Sequence, residues 1–544
     1  MSKYACVDVG GTFTDAAVVE KKCGKVGILC TEGFRDVFLF REGPNKNPFD
    51  MFLDYPEPFV PRYLTLPVKE RINSEGGIDT PLDEEAVKAQ TLKLKGYNVE
   101  AIAVCFLWST VNPAHEQRAA ELIHEVWPDV TVVLSSEVNP SNREYRRWVS
   151  AAMDASLRKL ISSYANDLNG RLNDAGFIGK VGMLNSAGGV MSTNEIVNRP
   201  LYSVDSGPSM APIAGRKYAE DDLGEQNAVV LDMGGTTFDV SCVIKHVAEP
   251  LGITVMEAAY SIWATVNVNM IAAIKDITIW QGIDPRSYAM VAGGGACGLH
   301  AIALAEGLEM QRLLIPRTAG GLSAAGGLFS DIVSEYSASH YTTTAQFDFE
   351  GVAKVLQKLR AQAKKFFARN KIAPERQRLE VYMEAHYPFQ VYELPVNVTP
   401  FVQDDFTITP AGVQAMEEAF HKEHERTFSI RDNTFIECVT WRVKAIGKHE
   451  REAVLPSAEL PENRDIAYED ALSSSFRKVF FKEYDDLKMT PVFHGDRLYY
   501  GITVHGPAII EEPTTTIVVL PGYCAKVTQH NSYCIEKEPL KKKH

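Results

Sequence analysis

Apolar positions along the chain alternate between short unbroken runs and stripes at helical spacing. Residues 4–9, Tyr-Ala-Cys-Val-Asp-Val, form a run with β-branched members and read as a buried strand, as do 99–107, 131–134, 181–186 and 288–291. Segments 79–94, 113–126, 211–218, 257–280 and 299–307 carry the 3.6-residue period of helices. Such alternation is the signature of a parallel α/β layer. The longest stripe runs through Tyr145, Trp148, Ala152, Leu157, Ile161 and Leu168, with Ser141 and Glu144 reading as a capping box at its start. Residues 41–71 are dense in proline and read as an irregular loop, either a surface connection or a face for substrate or partner. From Phe347 the character changes. A basic amphipathic helix at 349–370, alternation at 379–398, a helix at 412–427 and strands at 437–445 and 506–528 predict a C-terminal α+β domain.

The turns carry the candidate chemistry. Gly10-Gly11 follows the first strand and Asp8 stands near its end. Glycines let backbone N–H groups approach a phosphate, Thr12 and Thr14 add hydroxyl donors, and the carboxylate can hold Mg²⁺ or a metal-bound water. Alone, a Gly-Gly pair between two strands is more often only a hairpin turn. A second copy changes the picture: Asp8, Gly10, Gly11, Thr12 and Asp15 match Asp232, Gly234, Gly235, Thr236 and Asp239 in order, with Thr237 alongside. Two such hairpins facing each other would clamp the phosphates of a nucleoside triphosphate in a cleft between duplicated halves.

These residues resemble the sugar kinase, actin and heat-shock chaperone superfamily, and within it the hydantoinase A and 5-oxoprolinase family, which includes the ATP-using subunits of acetone and acetophenone carboxylases. The resemblance is carried further by TEGFRD at 31–36, SGP at 206–208, GGGACGLH at 293–300, GGLSAAGG at 320–327 and GPAIIEEP at 506–513. It implies duplicated actin-like nucleotide-binding halves around a cleft, spanning 1–200 and 201–340, followed by the α+β domain at 341–544. It implies ATP with Mg²⁺ or Mn²⁺, held by Asp8 and Asp232 as metal or water-orienting carboxylates, with one of them a candidate general base. Gly293, Gly294 and Gly295 would be the adenosine contact, where a flat base or ribose lies against bare backbone. The implied partners are a hydantoinase B-like large subunit, further small subunits and a small-molecule substrate. Three functions stay open: a ketone carboxylase subunit phosphorylating bicarbonate or the ketone enol, a cyclic-amide-opening hydantoinase or oxoprolinase subunit, and a non-catalytic scaffold. The run SGPSMAP at 206–212 resembles the carboxylase branch more. The family pattern also carries longer segments where this chain joins Glu20 to Lys21 and passes through Val247-Ala-Glu-Pro250. Shortening a parallel layer there would open apolar faces for a partner to cover.

Charge and cysteines narrow the class. With 56 basic against 70 acidic residues the chain carries −14, and it lacks the clustered Lys and Arg that nucleic acid requires. Nine scattered cysteines without a Cys-x-x-Cys pair suit a reducing interior, no apolar run reaches membrane-spanning length, and a cytoplasmic protein is expected. Three further features have competing readings. Arg143, Arg146 and Arg147 are an anion site or a salt-bridged solvated helix face. His300 is a satisfied structural histidine or an acid or base. His421 and His424 look metal-like or belong to a charged, exposed helix.

Overall fold

The computed structural model describes residues 4–7, 22–42, 57–233, 248–280, 282–448, 455, 457–458 and 471–538. Its chain falls into two units, Met1–Ser206 with Asp331–Glu450, and Gly207–Ser330 with Arg451–His544.

The first unit contains a four-stranded parallel sheet in the order Thr65–Val68, Val26–Thr31, Ala101–Cys105, Thr131–Leu134. The two central strands are buried along their whole length, as a parallel sheet covered on both faces requires. Helix Glu84–Gly96 opens with Asp83, whose carboxylate accepts from the Ala86 N–H at 2.9 Å. It lies flush on the sheet because Gly27 has no side chain: a Cβ there would come within 2.6 Å of Leu94 Cδ2. The long helix Glu144–Asp174 forms where the apolar stripe predicts it, but not with the expected capping box. Its N-cap is Arg143 without a side-chain cap bond, and the buried Ser141 hydroxyl has no partner among the described residues. The first turn is fixed instead by Arg147, which reaches back to donate to the Ser141 carbonyl at 2.7 Å, Ser135 Oγ at 3.2 Å and the Phe106 carbonyl at 3.1 Å.

The second sheet of this unit has seven strands, Tyr4–Val7, Lys180–Asn185, Gly189–Ser192, Ile332–Thr343, Glu437–Gly447, Gln377–His386 and Leu394–Asn397 in spatial order. Helix Phe349–Arg369, capped by Asp348 on the Gly351 N–H at 2.9 Å, packs Leu356, Leu359 and Phe366 into a core with Met383 and Trp441.

In the second unit, Ala228–Asp232, Ala289–Gly293 and Leu313–Ile315 run parallel and are extended by antiparallel Tyr533–Lys537, Tyr523–Val527 and Thr503–His505. A smaller sheet holds Leu472–Phe481, Asp486–His494, Ala508–Glu511 and Thr516–Val519. The expected α/β fold holds, and so does its duplication in outline. Tyr4–Val7 pairs in parallel with Lys180–Asn185, which leads to Gly188-Gly189, while Ala228–Asp232 pairs in parallel with Ala289–Gly293, which leads to Gly294-Gly295. The apolar helix Val255–Trp280 leaves Val268 and Ile277 each 63% exposed and Ile279 67% exposed. No helix among the described residues is long and apolar enough to cross a membrane.

Candidate functional site

Asp232 ends its strand and is exposed there. The parallel register sets it directly beside Gly293, and the next residue continues the ladder, Met233 N–H donating to the Gly293 carbonyl at 2.8 Å. The chain then turns at Gly294, whose φ of +92° is open to glycine at little cost. A Cβ on Gly294 would stand 1.9 Å from the Met233 carbonyl oxygen and 2.5 Å from its nitrogen, so the turn is pressed onto the backbone of the Asp232 strand. The Gly294 N–H donates to the Ala319 carbonyl at 2.5 Å, and the Ala296 N–H to the Met233 carbonyl at 3.3 Å. Gly293 is crowded by Leu322, 2.3 Å from a notional Cβ, whereas at Gly295 the nearest atom is the Thr514 carbonyl oxygen at 3.5 Å. The three glycines therefore differ in role: two seat the turn, and the third leaves bare backbone with room beside it.

Helix Cys297–Gly307 starts from this turn and sits directly on Thr516–Val519, since a Cβ on Gly298 would meet the Thr516 carbonyl oxygen at 2.3 Å. Thr515 Oγ1 donates to the Gly295 carbonyl at 3.0 Å, pinning the far side of the turn. Burial pushes the Cys297 thiol up to about 11, which disfavours its thiolate. His300 Nδ1 lies 2.8 Å from Asn267 Oδ1, an acceptor, so this nitrogen carries the proton, and the ring stacks on Trp263. Burial holds its pKa below the usual histidine value. It is a satisfied structural histidine.

One contributor escaped sequence reasoning. Ser323 Oγ lies 3.0 Å from Asp232 Oδ2 and 3.0 Å from the Gly207 carbonyl, within reach to donate to either. This hydroxyl gathers the SGP motif, the strand-end aspartate and the 320–327 glycine-rich element at one point. The only sequence signal was a serine inside that element.

Asp8, Gly10, Gly11, Thr12, Thr14, Gly234, Gly235, Thr236 and Thr237 lie outside the described residues; the strands that lead to both motifs are described. Among the described residues no group of three metal-ligating side chains comes together. The other candidates resolve differently from their expectations. Arg146 pairs with Glu42 at 2.8 Å and with Glu393 at 3.4 Å, and Arg143 joins the same two carboxylates, so these two form the salt-bridged face. Arg147 does not belong to it: the guanidinium is fully buried, because carbonyls and a hydroxyl from three other segments satisfy it. His421 and His424 are buried rather than exposed. Tyr387 OH meets His421 Nδ1 at 2.7 Å, His424 Nδ1 donates to the Ile430 carbonyl at 2.8 Å, and both rings pack against Tyr387 and Phe420.

A parallel strand pair that sets an acidic strand end beside a side-chain-free turn, with a second parallel pair at Tyr4–Val7 and Lys180–Asn185, defines a duplicated, nucleotide-binding-like α/β protein. The chain belongs to the hydantoinase/oxoprolinase family: residues 16–127 match its N-terminal region, 147–250 and 242–336 its central region, and 342–536 its C-terminal domain. It is 27% identical to the caprolactamase subunit alpha of Pseudomonas jessenii, over 97% of this chain and 89% of that protein. It is 24% identical to the acetophenone carboxylase gamma subunit of Aromatoleum aromaticum, over 95% and 86%. The crystal structure of ATP-dependent caprolactamase from Pseudomonas jessenii superposes with a TM-score of 0.77 at 26% identity, covering 96% of this chain and 90% of that one. The alignment with the caprolactamase subunit spans 634 positions against 544 residues here, so that relative carries residues for which this chain has none. The central match breaks into two pieces that meet at 242–250, around the Val247-Ala-Glu-Pro250 join.

Proposed function

We propose that this chain is the ATP-using subunit of a heteromeric enzyme that opens a cyclic amide by phosphorylating its carbonyl oxygen. The observation that carries this reading is whole-chain similarity to a caprolactamase subunit, in sequence at 27% identity and in structure at a TM-score of 0.77. Phosphorylation of the amide oxygen by the γ-phosphoryl of ATP makes the carbonyl carbon electrophilic enough for water to add; the ring C–N bond then breaks with the nitrogen leaving as an amine, and a second water opens the resulting acyl phosphate to carboxylate and phosphate. The chain's own residues position rather than react, as phosphoryl transfer needs alignment and charge stabilisation more than covalent protein chemistry.

In this reading Asp8 and Asp232 hold Mg²⁺ or Mn²⁺, or orient its water. Backbone and hydroxyl donors of Gly10, Gly11, Thr12, Thr14, Gly234, Gly235, Thr236 and Thr237 receive the phosphates. The Gly293–Gly295 turn receives the nucleoside, and the open space beside Gly295 fits a flat group lying against backbone. Ser323 fixes the rotamer of Asp232. The N-terminal half at 1–200, the second half at 201–340 and the α+β domain at 341–544 are the functional divisions of this reading, and the partner is a hydantoinase B-like subunit.

A second reading, ketone activation with bicarbonate, is favoured by the 24% identity to an acetophenone carboxylase subunit and by the SGPSMAP run. ATP turnover by the natively purified complex separates the two. Turnover driven by a lactam or 5-oxoproline alone supports ring opening; turnover requiring both ketone and bicarbonate moves the chain to the carboxylase reading. Turnover unchanged in both Asp8→Asn and Asp232→Asn would leave only the scaffold.

A further inference from the structure

In the unit formed by Met1–Ser206 and Asp331–Glu450, the turn Ser135–Val138, the long helix Glu144–Asp174 and the segment around Pro200–Ser203 enclose a cavity of about 170 Å³. Glu137, Asp154, Arg158, Asn198, Arg199 and Tyr202 line it. Asp154 is only 1% exposed. Its Oδ2 accepts from Arg158 Nε at 3.2 Å, while its Oδ1 is buried and has no hydrogen-bond partner. A buried carboxylate oxygen costs free energy unless it finds a donor, which water or a ligand in the cavity can supply.

The two arginines differ. Arg199 is committed: it donates to Tyr202 OH at 2.6 Å and to the Glu335 carbonyl at 3.1 Å, with its guanidinium 4.2 Å from the Tyr202 ring centroid. Arg158 uses only Nε; among the described residues its terminal amino groups have no partner. The carboxylate of Glu137, which is exposed, makes no hydrogen bond among the described residues and feels the attraction of the Arg158 charge. The walls thus carry two carboxylates and two guanidiniums, a balance that favours neither a lone anion nor a lone cation. What remains unsatisfied is an acceptor end, Asp154 Oδ1 with Glu137, and a donor end, the Arg158 terminal amino groups.

We infer that this cavity binds a small zwitterionic amino acid, its ammonium group on Asp154 Oδ1 and Glu137 and its carboxylate on Arg158. At about 30 Å³ of liquid volume per water, the cavity holds roughly half a dozen waters, or a ligand of similar or slightly larger heavy-atom count. The site belongs to one unit and does not depend on ATP chemistry. An ω-amino acid is also what hydrolysis of a lactam yields, so the cavity would take compounds of the product class.

Calorimetric titration of the full chain without nucleotide tests this, using amino acids from glycine to 6-aminohexanoate, with hexylamine and hexanoate as one-ended controls. At least one amino acid is expected to bind saturably at one site, about tenfold or more tighter than either control. Glu137→Gln should weaken it by a similar factor without lowering the unfolding temperature, and ligand should no longer raise that temperature in this variant; Arg158→Gln, which also takes from buried Asp154 its hydrogen-bond donor, should lower the affinity and the unfolding temperature together. No binding across the series, equal binding of hexanoate or hexylamine, or full binding in both variants would overturn the assignment. None of those outcomes bears on ATP-dependent ring opening, which is read by turnover.

Discussion

Replacing Gly294 by alanine adds one methyl group at the most confined point of the candidate nucleotide site. At φ +92° an L-residue costs about 1–2 kcal/mol, and forcing extra volume into a packed position costs about 1–3 kcal/mol more. The clash partner here is backbone, the Met233 carbonyl at 1.9 Å, which cannot rotate away as a side chain could. Relief requires parting the turn from the Asp232 strand, so the loss should be about 2–5 kcal/mol, a large share of the stability of an ordinary domain. Gly321→Ala is the internal control. Its φ is −134° and nothing lies within 4 Å of a Cβ, so the cost should stay within about 0.5 kcal/mol. Urea unfolding gives the stability difference, and titration with a fluorescent ATP analogue gives the affinity. Gly294→Ala should lower both, Gly321→Ala should leave stability unchanged. Wild-type stability and affinity in Gly294→Ala, or equal losses in the two variants, would refute the packing argument.

Four other substitutions, one of them a control, have defined outcomes. Burial raises the Asp154 carboxyl to about 6, well above the usual aspartate range, so folding favours the protonated form; the stability this contributes is present below pH 4 and lost as pH rises through 6. Asp154→Asn cannot ionise, and should be about 2–3 kcal/mol more stable than wild type at pH 7 but not at pH 3.5, by urea unfolding at both pH values. Ser323→Ala removes the hydroxyl beside Asp232 and Gly207, and should cost about 1 kcal/mol of stability while cutting kcat/KM for ATP about tenfold. Arg147→Ala strips a buried cation from three acceptors and should cost about 3–5 kcal/mol, whereas Arg146→Ala, on a part-exposed ion pair, should cost under about 1 kcal/mol by thermal unfolding.

Periodicity made the α/β alternation and the helices Glu84–Gly96, Ala114–Val126, Glu144–Asp174 and Val255–Trp280 legible, because each keeps one continuous apolar stripe. It did not reveal strand Val26–Thr31, a short run without a period that sits just beyond the Glu20–Lys21 join. Helix spacing also placed Arg147 with Arg143 and Arg146, since charge type gives no information on burial. Its acceptors at Phe106 and Ser135 come from other elements. Likewise, His421 and His424 are withdrawn from solvent by packing around Tyr387, 34 residues from His421 in sequence. The site follows the same division. Glycine at Gly294 and the acid at Asp232 were visible as motifs, while their juxtaposition depends on a parallel pairing across an intervening helix, and Ser323 reaches Asp232 over 91 residues.

The most direct test of carbonyl phosphorylation follows the oxygen itself. The natively purified complex, supplied with ATP and a lactam labelled with ¹⁸O at its carbonyl, should release inorganic phosphate carrying the label in step with ring opening. Ring opening at an undiminished rate with ATP omitted or replaced by a non-hydrolysable analogue would contradict the account.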